Sequence, residues 1–239
     1  MLDAMLAEAE ATGPVPKAMI VPHAGYIYSG PVAATGYARL RQAAARIRRV
    51  ILMGPAHRVP VRGLALPDAD AFNTPLGEIA LDAEAMRRLL VLPQVHMDAT
   101  AHQLEHSLEV HLPFLQTVLD DFTLVPLVVG DASADEVCEV IEQVWGGPET
   151  LLVISSDLSH YHDYETAQRL DAATSRAIEA LSLEDIGYDQ ACGRAPVSGL
   201  LLYARQHGLS LKTIDLRNSG DTAGPRSQVV GYGTYVLSS

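Results

Sequence analysis

The chain has 239 residues, 48% apolar and 19% charged, which suits one large α/β domain with its own core and excludes a disordered or membrane-embedded chain. Lys and Arg total 17 against 29 Asp and Glu, a formal charge of −12 that excludes the basic face a duplex nucleic acid needs and favours a small ligand. The longest apolar runs, such as Leu151–Ile154, stop far short of the roughly 20 residues a bilayer span requires, and the acidic opening Met1–Glu10 does not read as a signal or transit peptide, so a cytoplasmic location is expected.

Residues 1–11 carry apolar side chains at helical spacing and end at Gly13-Pro14. Lys17–Val21 reads as a short strand that leads into Pro22-His23-Ala24-Gly25, followed by a helix from about Pro31 to Ala45. Arg49–Met53 is the second strand and runs into Gly54-Pro55-Ala56-His57. Residues 58–80, rich in Pro, Gly and Asp, read as loop with short β segments. Leu81–Leu90 is predicted helical, and His102–Leu119 a second strong helix with a kink or restart at Pro113. Leu124–Val129 is a strand, Ala134–Trp145 a helix, and Leu151–Ser155 a strand ending in Ser156-Asp157-Leu158-Ser159-His160. Helices over 164–181 and 196–206 and a strand over Val229–Leu237 complete the pattern. Strand and helix alternate, so the expectation is a single α/β domain over residues 1–239, with a mostly parallel twisted sheet between two layers of helices.

Ligands of open α/β sheets bind beyond the carboxyl ends of the strands. Three apolar strands here deliver a histidine just past that end: His23, His57 and His160. A single loop histidine more often serves a backbone hydrogen bond. Three at equivalent positions converge if their strands are neighbours, and imidazole is a common ligand of first-row transition metals. Cys192 is a fourth candidate: it lies just before a helix that Pro196 can start, beside Arg194, where a thiolate is favoured. The bland alternative for Cys192 is a small core residue, and Cys138, on an amphipathic helix, takes that reading. Two cysteines are too few for a disulfide framework.

His102-Gln103-Leu104-Glu105-His106 fits the inverted zinc-peptidase pattern, with Glu179 or Glu184 as conceivable further ligands. The pattern is short, and the competing reading makes Glu105, His106 and Glu109 a polar helix face packed over the site. There is no nucleophile elbow, Walker A loop or C-x-x-C, and Gly231-Tyr232-Gly233 lies in a strand without the helix that a dinucleotide fingerprint needs.

Several motifs then occur in order: Pro22-His23-Ala24-Gly25-Tyr26, Gly54-Pro55-Ala56-His57, Asn73-Thr74-Pro75-Leu76-Gly77, Glu105-His106-Ser107-Leu108-Glu109, Ser155–Tyr161, Cys192-Gly193-Arg194, Asn218–Asp221 and Val229–Tyr232. From about residue 17 onward the chain resembles the Memo family, whose microbial members are called AmmeMemoRadiSam system protein B. The resemblance implies a fold similar to the class III extradiol dioxygenases. It also implies a transition metal, Fe(II) or copper with zinc as the alternative, held by His23, His57 and Cys192, with His160 in the acid/base position and Tyr26, Glu105, His106, Asp157 and Arg194 around them. The reaction implied is oxidation of a small aromatic or dihydroxy compound; a non-catalytic redox-metal or peptide-binding module beside a radical-SAM partner is the alternative. Cys192 stands where a dioxygenase has a carboxylate, and a thiolate shifts preference toward softer metals. Family members also carry a segment ahead of the first helix, so a strand and a pocket aromatic are expected to precede Met1 or to come from another chain.

Overall fold

Residues 1–238 are described by the computed structural model. The amino-terminal part comprises α1 (Leu2–Glu8), β1 (Ala18–Val21), α2 (Tyr26–Tyr37), β2 (Arg49–Pro55), β3 (Leu64–Leu66), β4 (Ala71–Thr74), β5 (Gly77–Ala80) and α3 (Ala83–Leu89). Next come β6 (Val95–Met97), α4 (Ala99–Gln103), α5 (His106–Glu109), α6 (Leu112–Val118), β7 (Thr123–Val129), α7 (Ala134–Val144) and β8 (Thr150–Ser155). The last part holds β9 (His160–His162), α8 (Tyr164–Glu179), α9 (Arg194–Gln206), β10 (Leu211–Asn218), α10 (Ser219–Thr222) and β11 (Val229–Leu237).

The main sheet runs β10-β11-β1-β8-β2-β7-β3-β6, with β9 paired to β11. Its centre is parallel: β1 with β8, β8 with β2, and β2 with β7. These strands are buried along nearly their whole length, as unbroken apolar runs covered on both faces should be. Towards the wings antiparallel pairs enter, with β11 against both β1 and β10, and β3 against β7, while the edge strand β6 runs parallel to β3. The sheet is therefore mixed around a parallel core, which positions β1, β8 and β2 side by side with their carboxyl ends together. Among the described residues no helix is long and apolar enough to cross a membrane.

Two expectations are corrected by local chemistry. The helix expected from Pro31 already starts at Tyr26, with Pro31 inside it, and gives way to a 3₁₀ segment at Ala38–Ala43. The long helix expected over His102–Leu119 is three short ones. Leu104 closes α4 with φ −124°, and Glu105 in extended backbone caps α5 by accepting from the Ser107 amide. Pro113 stands in the first turn of α6, where its missing N–H costs nothing. The short β segments expected over 58–80 are β3, β4 and β5, whereas strands β6, β9 and β10 were not anticipated. Of these, β6 and β9 have only three residues each, and β10 mixes polar and apolar residues at the sheet edge.

Candidate metal centre

His23 lies two residues beyond β1 and His57 two beyond β2, while Asp157 lies two beyond β8, the strand between them. Loop-to-loop bonds tie the ends of β1 and β8 together: the Ser156 amide donates to the Val21 carbonyl, and the His23 amide donates to Asp157 Oδ1 at 2.8 Å. Neighbouring strands thus bring His23 and His57 to one patch, with ring centroids 5.2 Å apart.

A third imidazole joins them from an unexpected direction. The break between α4 and α5 turns His106 onto the patch, 5.6 Å from the His23 ring and 5.0 Å from the His57 ring. Among the described residues, the His/Cys/Asp/Glu group with three ligand atoms all within 4.8 Å of one another is His23, His57 and His106. The sequence reading placed His106 outside the ligand set and Cys192 inside it. Cys192 Sγ lies 3.5 Å from His23 Nε2 but does not belong to that group of three.

Glu105 organises the centre. Its carboxylate accepts the His57 amide at 2.6 Å on Oε2, and His57 Nδ1 and the Ser107 amide, each at 2.9 Å, on Oε1. Burial would push this carboxyl up, but the bonds from His57 and Ser107 outweigh it and hold it at about 2. An ionised carboxylate only accepts, so His57 carries a proton on Nδ1 and turns Nε2 away from Glu105. His106 Nδ1 is 3.5 Å from Glu105 Oε1 and is buried without a hydrogen-bond partner. His23 is almost wholly buried, and burial followed by the neighbouring His57 and His106 pushes it well below the usual histidine range. The His57 and His106 side chains are 29% and 41% exposed, so the patch opens to solvent on their side.

Asp157 is buried; loss of solvent pushes its carboxyl up, against the His23 amide bond and the nearby His160, which pull it down. His160, held by the pairing of β9 with β11, lies within electrostatic reach of both Asp157 and His23. Tyr161 beside it has φ 62° and is 72% exposed, a left-handed backbone that a bulky residue rarely adopts.

The remaining expected neighbours are placed differently. Burial and the Asp157 charge push the Cys192 thiol up to about 12, so the fold does not favour its thiolate. Arg194 supplies no relief: its Nε donates to the Ile186 carbonyl at 2.7 Å and its guanidinium stacks over Tyr188. The helix that follows Cys192 begins at Arg194, ahead of Pro196. The Tyr26 hydroxyl donates to the Val110 carbonyl at 3.0 Å, bracing the start of α2 against the α5–α6 turn. His102 is turned to β3, its Nε2 2.9 Å from the Ala65 carbonyl, with Phe72 alongside. Glu179 accepts from the Thr213 amide and Glu184 pairs with Arg205. The H-x-x-E-H residues therefore do not form one helix face, because Leu104 ends α4 before Glu105. A cleft of about 550 Å³ lined by Phe72, His102, Glu105, Leu108 and Leu112 opens against the outer side of Glu105.

The family model described as Memo-like protein matches residues 1–236. A MEMO1 family protein of Aquifex aeolicus is 36% identical over 228 residues, covering 91% of this chain and 84% of the relative. One of Archaeoglobus fulgidus is 36% identical over 237 residues, covering 92% and 86%. Among solved structures, the uncharacterized protein JW3007 of Escherichia coli K12 aligns with TM-score 0.57 at 15% identity, over 90% of this chain and 98% of that one, a likeness of fold.

Proposed function

The chain belongs to the Memo-like protein family, and on that premise we propose that it is a metal-dependent oxidoreductase acting with O₂ on a small aromatic dihydroxy compound, in the manner of the extradiol dioxygenases. The observation that carries this reading is the convergence of His23, His57 and His106, whose ligand atoms lie within 4.8 Å of one another. The donor set suits a first-row transition metal: neutral imidazoles, one of them buried, backed by a carboxylate that orients the His57 ring. The unpartnered, buried His106 Nδ1 fits the same assignment. Fe(II) or copper is the proposed metal, with zinc the alternative. When bound, the metal would supply a Lewis-acidic, redox-active centre.

The chain's own residues do the rest. An imidazole binds a metal through a ring lone pair, whereas the Cys192 thiol, whose surroundings favour the protonated form, would have to give up its proton. Cys192 is accordingly proposed as a further donor on the His23 flank rather than as part of the primary set. His160, facing the same patch as Asp157 and His23, is proposed to accept the proton of a substrate hydroxyl. The Asp157 carboxylate holds the His23 backbone in place through the amide bond. Open exposure of His57 and His106 provides the substrate's approach.

The test is metal content after anaerobic purification of wild type and of the His57→Ala, His106→Ala and Cys192→Ala variants, followed by catechol titration and O₂ uptake. Near-stoichiometric iron or copper, lost in both histidine variants and reduced in Cys192→Ala, with a new charge-transfer band on catechol addition, is the expected result. Protein that cannot be loaded with iron, copper or zinc would overturn the metal-enzyme reading and leave a binding module.

A further inference from the structure

Ser155, the last residue of β8, and His111, in the turn before α6, are both fully buried behind His23. Three groups meet at the Ser155 hydroxyl oxygen: the Ser107 carbonyl at 2.7 Å, His23 Nδ1 at 2.5 Å and His111 Nε2 at 2.9 Å. A serine hydroxyl offers one proton and two lone pairs. A carbonyl can only accept, so the single proton goes to Ser107. Both lone pairs then remain for the two rings, and each ring nitrogen facing Oγ has to be a donor.

We infer that Ser155 and His111 are positioning residues: together they hold His23 as the Nδ1–H tautomer and leave its Nε2 bare toward the His57–His106 patch. The opposite tautomer, with the proton on Nε2, is the one a free histidine side chain prefers, so the fold has to impose this one. Were the hydroxyl to turn toward His23 instead, the buried Ser107 carbonyl would lose its 2.7 Å donor. His111 fills the second lone pair of Oγ and thereby keeps the hydroxyl aimed at that carbonyl.

The surroundings of both rings fit this arrangement. On the far side of His23, Nε2 lies 3.5 Å from the Cys192 sulfur, a contact satisfied by a thiol S–H donating to a bare nitrogen, although the same thiol has the Asp157 carbonyl at 3.6 Å as a second acceptor. On the far side of His111, Nδ1 is buried without a partner, and a buried lone pair is tolerated better than a buried N–H. By the same logic Glu105 holds a proton on His57 Nδ1, so both rings have that nitrogen committed before any metal arrives. The functional consequence rests on the metal-site reading above; the tautomer itself does not.

The decisive measurement is long-range ¹H–¹⁵N correlation NMR on the full chain with ¹⁵N-labelled histidine and metal removed by chelation. The wild-type His23 pattern is expected to show a protonated Nδ1 and an unprotonated Nε2. Ser155→Ala is expected to move the proton to Nε2, and His111→Phe, which frees the second lone pair of Oγ and lets the hydroxyl turn between Ser107 and His23, to give a mixture of tautomers. A wild-type His23 protonated on Nε2, or an unchanged pattern in folded Ser155→Ala, would overturn the inference; an unchanged pattern in His111→Phe would remove His111 from the unit. If a variant does not fold, the wild-type spectrum decides alone. A zinc competition titration separates the two claims: Ser155→Ala removes no ligand yet is expected to weaken zinc about tenfold. Wild type that shows the expected tautomer but takes up neither zinc, copper nor iron would sink the metal reading and leave the positioning role standing.

Discussion

Replacing Glu105 by glutamine changes one oxygen to an amino group and nothing in shape, and three hydrogen bonds make its cost calculable. Oε2 accepts the His57 amide, while Oε1 accepts both His57 Nδ1 and the Ser107 amide. If the glutamine oxygen takes the Oε1 place, its NH₂ faces the His57 amide, donor against donor. If it takes the Oε2 place, the NH₂ faces the Ser107 amide and also His57 Nδ1. The ring then has to accept there and carry its proton on Nε2, the nitrogen needed for a metal. Either orientation leaves one buried N–H unsatisfied where the side chain is only 1% exposed. A lost bond to a charged acceptor is worth about 2 kcal/mol and a stranded donor about 1 kcal/mol more, so metal-free Glu105→Gln is expected to lose about 3 kcal/mol of stability. Loss of the partner that orients a ligating histidine typically weakens metal binding tenfold to a hundredfold. Urea unfolding of metal-free protein measures the first quantity, and competition between the protein and a chromogenic chelator for zinc measures the second. A folded variant with unchanged urea midpoint and zinc affinity within about twofold of wild type would refute the role given to Glu105.

The same carboxylate makes stability depend on acid pH. Its folded value of about 2 lies below the ordinary 4.5, so the contribution, on the order of 3 kcal/mol, is complete above pH 4.5 and lost as pH falls toward 2. Urea midpoints taken across that window should fall for wild type by more than for Glu105→Gln; parallel curves would contradict the linkage. His102→Ala should keep full metal content, since His102 Nε2 serves the Ala65 carbonyl; metal loss in that variant, measured by elemental mass spectrometry, would revive the peptidase pattern. Neither cysteine should alkylate readily in native metal-free protein at pH 8, because burial pushes Cys138 to about 11 and Cys192 to about 12. Rapid iodoacetamide labelling of Cys192, located by peptide mapping, would show a thiolate that the fold does not provide. Gly231→Ala should destabilise by about 2 kcal/mol or more, since a Cβ there collides with the buried Asp171 carboxylate beside the Val230–His160 pairing. An unchanged thermal midpoint would mean that Asp171 moves aside freely.

Much of the fold was legible because the central strands are unbroken apolar runs, and periodicity reads such runs well. The same reasoning expected His23 and His57 to come together, and they do, since each follows its strand by two residues and the strands flank β8. The outer strands were not legible: β10 mixes Lys212, Asp215 and Arg217 with its apolar positions, and β6 and β9 owe their extended form to pairing partners distant in sequence. Nor were the surroundings that hold the Cys192 thiol protonated. A thiol before a helix and next to an arginine looks activated, and only the folded chain shows Arg194 committed to the Ile186 carbonyl and the Tyr188 ring.

The error over His106 is the most instructive, because the signal was present in the wrong guise. Residues 102–119 carry helical periodicity, and a continuous helix would have put His102 and His106 one turn apart on the same face. What breaks it is Glu105, an acid that serves two purposes at once. Its side chain caps α5 through the Ser107 amide and, in the same carboxylate, clamps the ring and amide of His57 from the end of β2. A cap alone is a weak reason to interrupt a helix, worth about 1 kcal/mol. Two further bonds from a histidine in another strand's loop make the interruption the stable choice, and they come from residues 48 positions away in sequence. The break then turns His106 onto the rings it would otherwise miss. Assembly of the three-imidazole patch is thus a consequence of one tertiary contact, and local sequence reasoning recovers it only after His57 and Glu105 are known to meet.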